Sequence, residues 1–391
     1  MHWLTLLSLF CFMGNPTEEA TARGNPASLL PSEADRSRAR DLVQQLGSPI
    51  FRERANALRE LRKMGRLALE VISPAIESDP DPEVRFRCEL LRPAAEAEEF
   101  AARMQVLIAD TAGQYDHDLP GWHAFQKLAG SDRQARMFFV TLLKSDDNRD
   151  LLAGFTGKPE DLRAKLFARL SDLQAKMYPR SLAPGDKRYT PTLEDAVTVI
   201  LAEATLAETP PPGARLSSTN LIYQNSFRQA IAAPESRKIL EPILERWLET
   251  RDGSNGLVLA MNVANSLKLP NATRYVLRVL GNDDIPASTR AGAAMMLASS
   301  GNKEYIGSLE VLFQNDTVVR RNPREPDIQL RDSALAATVL LSGKDPAEFG
   351  FISKNVRAAN QKFYYWNYSF PDEKTRENAF SRWKSMKMPG Q

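Results

Sequence analysis

Residues 51–58 read FRERANAL and residues 84–91 read VRFRCELL. Laid over one another, from 51 to 84, the two stretches agree at five positions over an offset of 33 residues. These are an apolar start (Phe51, Val84), arginines at Arg52 and Arg85, arginines at Arg54 and Arg87, a small residue at Ala55 and Cys88, and a leucine at Leu58 and Leu91. A self-similar unit of this length holds one helix, a turn and a second helix. Such a unit cannot bury its apolar face alone, so it stacks on copies of itself.

Local signals agree with a helical unit. Ser32 is placed to cap a helix through about Leu46. Ser48 then reads as a cap and Pro49 as the first position of a helix that Gly65 closes at Met64. At 100° per residue, Ile50, Phe51, Ala55, Ala57, Leu58, Leu61 and Met64 form one apolar arc. Arg52, Arg59 and Lys63 lie outside it beside Glu53 and Glu60, a ridge of mixed sign, while Arg62 stands at the margin. Arg54 falls inside the arc and so requires a carboxylate or carbonyl partner. Arg87 occupies the matching place, and Asp79 and Asp81 are the first candidates for those partners. A second helix follows over 67–77 with a break at Pro74, and then Asp81 caps a helix that Pro82 begins.

Farther along, Arg290 with Ala293 and Met296, and Arg331 with Ala334 and Ala337, echo the pattern more faintly. A helix over 303–314, containing LEVLFQ with Leu309, Leu312 and Phe313 inward, lies between them. The middle supplies helices at 94–111, 121–129, 132–146, 159–177, 191–208 and 215–232 without visible repetition, and the TPPPG loop at 209–213 is the strongest internal boundary. No segment shows a sustained alternation of the strand type.

The expected organisation is therefore a leader at 1–22, a Pro- and Gly-bearing linker at 23–31, N-terminal repeats at 32–93, an irregular helical region at 94–213, and C-terminal helical repeats at 214–391 ending in an aromatic segment. The leader has an apolar run from Trp3 to Met13 and a small-x-small ending at Ala20 to Ala22, the outline of a secretory signal. It implies export to a periplasm or the outside, with no membrane span left in the mature chain. The rest of the composition excludes little: 43% apolar and 26% charged residues suit a folded protein, and 51 Lys and Arg against 49 Asp and Glu are too even for a dedicated nucleic-acid binder. Cys11 and Cys88 are the only cysteines, so removal of the leader leaves no intramolecular disulfide.

The pairing of 51–64 with Asp81, Pro82, Val84, Arg85 and Cys88 resembles HEAT-type repeats, including the shorter variety first associated with bacterial bilin lyases, and the whole is similar to exported bacterial HEAT-repeat proteins. That resemblance implies an all-α fold, an α-solenoid or armadillo-type superhelix of helix pairs with an irregular middle. It also implies a non-catalytic role in protein binding or scaffolding. Its alternatives are a HEAT-like lyase or isomerase acting on a small molecule in the concave face, and a weak, nonspecific nucleic-acid scaffold on the arginine ridges.

Chemistry-bearing residues are few. Tyr115, Asp116, His117, Asp118 and His123 cluster in YDHDLPGWH and are the candidate ligand or acid–base groups, with Trp122 and Phe125 expected to turn inward. Tyr364, Tyr365 and Trp366 lie in KFYYWNYSF, read either as a cover for the end of the helical array or as a stacking platform. No nucleotide-loop, zinc-protease, hydrolase-elbow or paired-cysteine motif is present, and no cofactor or metal is expected.

Overall fold

The computed structural model describes residues 24–181, 185, 187–206, 217–322, 326–353 and 362–387. The expected leader at 1–22 and the expected boundary loop at 209–213 lie outside them. The protein is all-α: its helices are α1 Glu33–Leu46, α2 Phe51–Met64, α3 Leu69–Ser78, α4 Pro82–Ala109, α5 Trp122–Ala129, α6 Arg133–Leu142, α7 Asp146–Ala153, α8 Pro159–Met177, α9 Leu193–Leu206, α10 Ser218–Ile222, α11 Asn225–Ala232, α12 Pro234–Glu249, α13 Gly253–Ser266, α14 Ala272–Leu280, α15 Ala287–Ser300, α16 Ile306–Glu310, α17 Leu330–Ser342 and α18 Glu373–Lys387. Two compact units result. The first runs to Asp172 and takes in Val197–Ala202, and the second holds Leu173–Ala196 and the residues from Glu203 onward.

In the first unit α1 packs on α2, and α3 on α4. Ser32 caps α1 as its sequence suggests, with Ser32 and Asp35 exchanging side-chain and main-chain bonds. The start of α2 differs from expectation. Ile50 is its N-cap, while Ser48 Oγ accepts from the Ile50 amide at 3.1 Å, holding the Ser-Pro-Ile turn outside the helix. Ile50 and Phe51, expected inside, are 53% and 68% exposed, and the Arg54 guanidinium sits 5.9 Å from the Phe51 ring centroid. Ala57 and Leu61 carry the buried stripe instead, joined by Val84, Cys88, Leu91 and Ala95 of α4 and by Ala39, Leu42, Val43 and Leu46 of α1. Gly65 closes α2 at φ +53°, as its position predicts.

Arg54 does reach a carbonyl, that of Ser48, at 2.6 Å, but Asp79 and Asp81 do not serve it. On α4 the matching bond is made by Arg85, to the Asp79 carbonyl at 2.6 Å, whereas Arg87 pairs with Glu83 on its own helix. Arg54 and Arg85 are each the fourth residue of their helix, and Ala57 and Cys88 are each the seventh and fully buried. The structural register between the two helices is thus 31 residues, from 54 to 85. An Arg-x-Arg-small string aligns equally well two residues away, and only the helix start distinguishes the two registers. The same bond recurs at the head of α7, where Arg149 reaches the Leu143 carbonyl at 2.8 Å, and Arg136, fourth in α6, bonds the Ser131 carbonyl.

Three further expectations are corrected. Residues 23–31 are not a free linker from Gly24 on: Asn25 caps a 3-10 turn at Pro26–Leu29, and Arg66 Nη1 holds the Leu29 carbonyl at 2.5 Å. The boundary placed between 93 and 94 falls within α4, which continues through Pro93 because its buried stripe runs on to Ala95 and then to Val106 and Leu107. The single helix expected at 132–146 is two, α6 and α7, separated at Leu143 to Ser145.

In the second unit the small residues Ala291, Ala293, Ala294 and Ala298 of α15 and Ala334, Ala336 and Ala337 of α17 are buried where these helices pack together. Alanine at such a contact lets helix axes approach toward the lower end of the roughly 8–10 Å range. The 303–314 stretch forms α16 between two 3-10 turns, with Leu309, Leu312 and Phe313 buried. Among the described residues the unit also holds two antiparallel ribbons: β1 Val318–Arg320 with β2 Ile328–Gln329, and β3 Ile352–Ser353 with β4 Tyr368–Ser369. Each strand is too short to show an alternation in sequence. Among the described residues no helix is long and apolar enough to cross a membrane.

Candidate functional site

Asp110 ends α4 and organises the loop after it. Its carboxylate accepts from the Gln114 amide at 3.0 Å, from the Tyr115 amide at 3.1 Å, and meets His117 Nε2 at 3.0 Å. Burial acts to raise its pKa; the His117 bond and the two amides outweigh that and hold the carboxyl below its ordinary value. An ionised carboxylate only accepts, so Nε2 of His117 is the donor in this bond. The buried guanidinium of Arg136 adds a longer-range attraction, and burial depresses its own pKa.

This loop forms one side of an open cleft of about 690 Å3. Asp116, His117 and Asp118 line it together with the apolar Pro26, Leu29, Leu30, Pro31, Leu69 and Pro74 and the polar Arg66, Glu70, Ser73, Glu99 and Arg103. Asp118 holds its turn at φ +42°, its amide bonded to Asp116 Oδ1 at 3.1 Å. Arg103 Nε pairs with Glu99 Oε1 at 2.8 Å, Arg66 Nη1 lies 3.6 Å from Glu99 Oε2, and Arg36 Nε reaches both Glu70 oxygens.

Of the residues singled out from sequence, Asp116, His117 and Asp118 meet in this cleft. Tyr115 contributes its amide to Asp110. His123, on α5, pairs with Asp116 at 3.3 Å on the exposed side. Trp122 and Phe125 turn inward onto Phe139, as expected. Among the described residues no three His, Cys, Asp or Glu side chains gather as a metal site. The aromatic segment is divided. Tyr368 and Phe370 are buried against Phe351, while Tyr364 and Trp366 stack 4.7 Å apart and are each 41% exposed, with Tyr365 edge-on to Trp366. On the ridge of α2, Glu60 takes Lys63 together with Arg38 of α1, and Arg59 bonds the Asn56 side chain.

Sequence reading missed a second buried centre, in the second unit. Glu203 is fully buried in α9, and its Oε2 accepts from Ser218 Oγ at 2.9 Å and Trp247 Nε1 at 2.5 Å and pairs with Arg251 Nη2 at 3.3 Å. Arg251 lies over the Trp247 ring at 4.4 Å. Burial pushes the Glu203 pKa up against these partners, and Oε1 has no hydrogen bond. The available signal was a lone carboxylate in the apolar run VILAEATL. Neither Arg66 nor Glu99 carried a comparable mark, since each lies on an ordinary charged helix.

Compared with protein-family models, with curated proteins and with solved structures, the chain has no match in any of the three.

Proposed function

We propose that the chain is a non-catalytic protein-binding module built on HEAT-like helix pairs in a solenoid or armadillo-type arrangement, acting outside the cytoplasm as its leader suggests, and that its first unit holds an extended polypeptide segment. The observation that carries the reading is the cleft: an apolar wall from the 26–31 turn and α3 faces a charged rim, the division of labour expected where a chain lays alternate apolar and polar groups. Support for the HEAT-like part is the arginine at the fourth helical position bonding the turn before it in α2, α4 and α7. Panning a random peptide library against the full chain, followed by hydrogen exchange with the selected peptides bound, tests this. Protection concentrated in 26–31, 66–74 and 99–118 is expected, and Ala27→Trp, which fills the cleft from an exposed position, abolishes binding. Protection elsewhere, or binding indifferent to Ala27→Trp, refutes the assignment.

The Asp110–His117 pair favours a second reading, a HEAT-like lyase or isomerase using His117 Nδ1 as a base in the same cleft. Release of a modified small molecule that depends on His117, with Asp110→Asn shifting its pH profile, would establish that reading in place of the first.

A further inference from the structure

We infer that the cleft selects a segment bearing lysine or arginine, with the cation seated between Asp116 and Asp118 and a neighbouring apolar side chain against Leu29, Leu30, Leu69 and Pro74. This rests on the peptide-binding reading above and names its partner's chemistry.

The charge balance of the lining points to a cation. Four carboxylates, Glu70, Glu99, Asp116 and Asp118, face two guanidiniums, Arg66 and Arg103. Both guanidiniums are already engaged by Glu99, and Arg66 also holds the Leu29 carbonyl. Glu99 thus offsets part of their charge, and an anionic ligand would meet a lining in which carboxylates outnumber guanidiniums. Glu70 is matched by Arg36, and Asp116 meets the exposed His123 ring. Among the described residues no cation lies within ion-pair distance of Asp118. An uncompensated carboxylate beside a low-dielectric apolar wall concentrates negative potential, which draws a cation and orients it.

On the α3 side a proline interrupts the helical bonding beside the cleft. Pro74 lies inside the helix and has no N–H to offer the carbonyl of Glu70, four residues earlier, and both residues line the cleft. The volume of about 690 Å3 is within the roughly 300–1,000 Å3 of small-ligand pockets, so it holds a few side chains and not a folded partner. Leu30, 67% exposed at the rim, leaves the ends of such a segment free to run out.

Three labelled nonapeptides test this. They share a Leu-Pro core and carry lysine, glutamine or glutamate on either side, and their anisotropy is followed with the full chain at low and at raised salt. The lysine peptide should bind at least tenfold tighter than the glutamine peptide, lose that advantage as salt rises, and fall to the glutamine level in the Asp116→Asn/Asp118→Asn variant. Asparagine tolerates the positive φ at 118, so the turn survives the change, and circular dichroism checks that it does. Equal or tighter binding of the glutamate peptide, or an unchanged affinity in the double variant, overturns the inference. If lysine and glutamine peptides bind equally and Ala27→Trp abolishes both, the peptide cleft stands and the basic preference falls. If none binds up to about 1 mM, a level worth only about 4 kcal/mol, both readings fall together.

Discussion

Arg54 donates from Nη1 to the main-chain carbonyl of Ser48 at 2.6 Å, fastening the head of α2 to the turn that precedes it. A half-buried guanidinium bonded to a carbonyl contributes on the order of 1–3 kcal/mol. Arg54→Ala should therefore lower the melting temperature by several degrees, and Arg85→Ala by a similar amount through the Asp79 carbonyl. Arg52→Ala removes the same charge from an exposed position and should change stability by no more than about 0.5 kcal/mol. Equal melting temperatures for wild type and Arg54→Ala would show that the clamp is ornamental.

Gly65 has φ +53° and ψ −125°, and a Cβ there would stand 1.8 Å from Glu98 Oε2. The same carboxylate accepts the Arg66 amide at 3.1 Å, so it cannot simply swing away. Gly65→Ala combines backbone strain, about 1–3 kcal/mol, with a steric clash. Adding Glu98→Ala should recover the clash and leave the strain, which chemical denaturation of the single and double variants would separate.

Glu203 and Arg251 are both buried, so removing one partner strands the other. Glu203→Ala is expected to destabilise by on the order of 3–5 kcal/mol. Glu203→Gln keeps the acceptor for Trp247 Nε1 and should lose less. A double variant, Glu203→Leu/Arg251→Met, restores part of the stability by removing both charges. If the double variant were as unstable as the sum of the singles, no pairing energy would link them.

Asp332 lies 3.0 Å from Arg376 Nε, out of line for a hydrogen bond, and burial, opposed by the Gln329 amide and Arg376, pushes its carboxyl up to about 6. An unfolded aspartate releases its proton near 3.8. Between those values the native state holds more protons, so stability falls as pH rises from about 4 to about 6 and stays at the lower level above. At about 1.36 kcal/mol per pKa unit the change is roughly 3 kcal/mol. Asp332→Asn is neutral at every pH and should lack this slope, while Arg376 keeps Glu373 and the Asp327 carbonyl. Parallel urea midpoints for the two proteins across the window would assign the titration to another group.

Much of the first unit is legible in the chain. Ser32, Asp81, Pro82 and Gly65 mark helix ends by local chemistry that no tertiary contact overrides. The cleft was half visible: Asp116, His117 and Asp118 stand out as a cluster, but their setting does not. Asp110 bonds a histidine seven residues on only because the loop doubles back, and Leu29 meets Arg66 only because the 26–29 turn docks. Glu203 was hidden for the same reason, its Trp247 partner lying 44 positions away.

By itself the sequence determined that this protein is helical, where many of its helices start and stop, and which faces are apolar, because capping, proline, glycine and the 3.6-residue period act within a few residues. Only the tertiary structure decided that Arg54 corresponds to Arg85 and not to Arg87, that Phe51 stays outside while Ala57 goes in, and that Asp116 and Asp118 line one cleft with Leu29 and Pro74. Those outcomes depend on which helices touch, and contacts between distant segments are set by packing and by the partners available to buried charge.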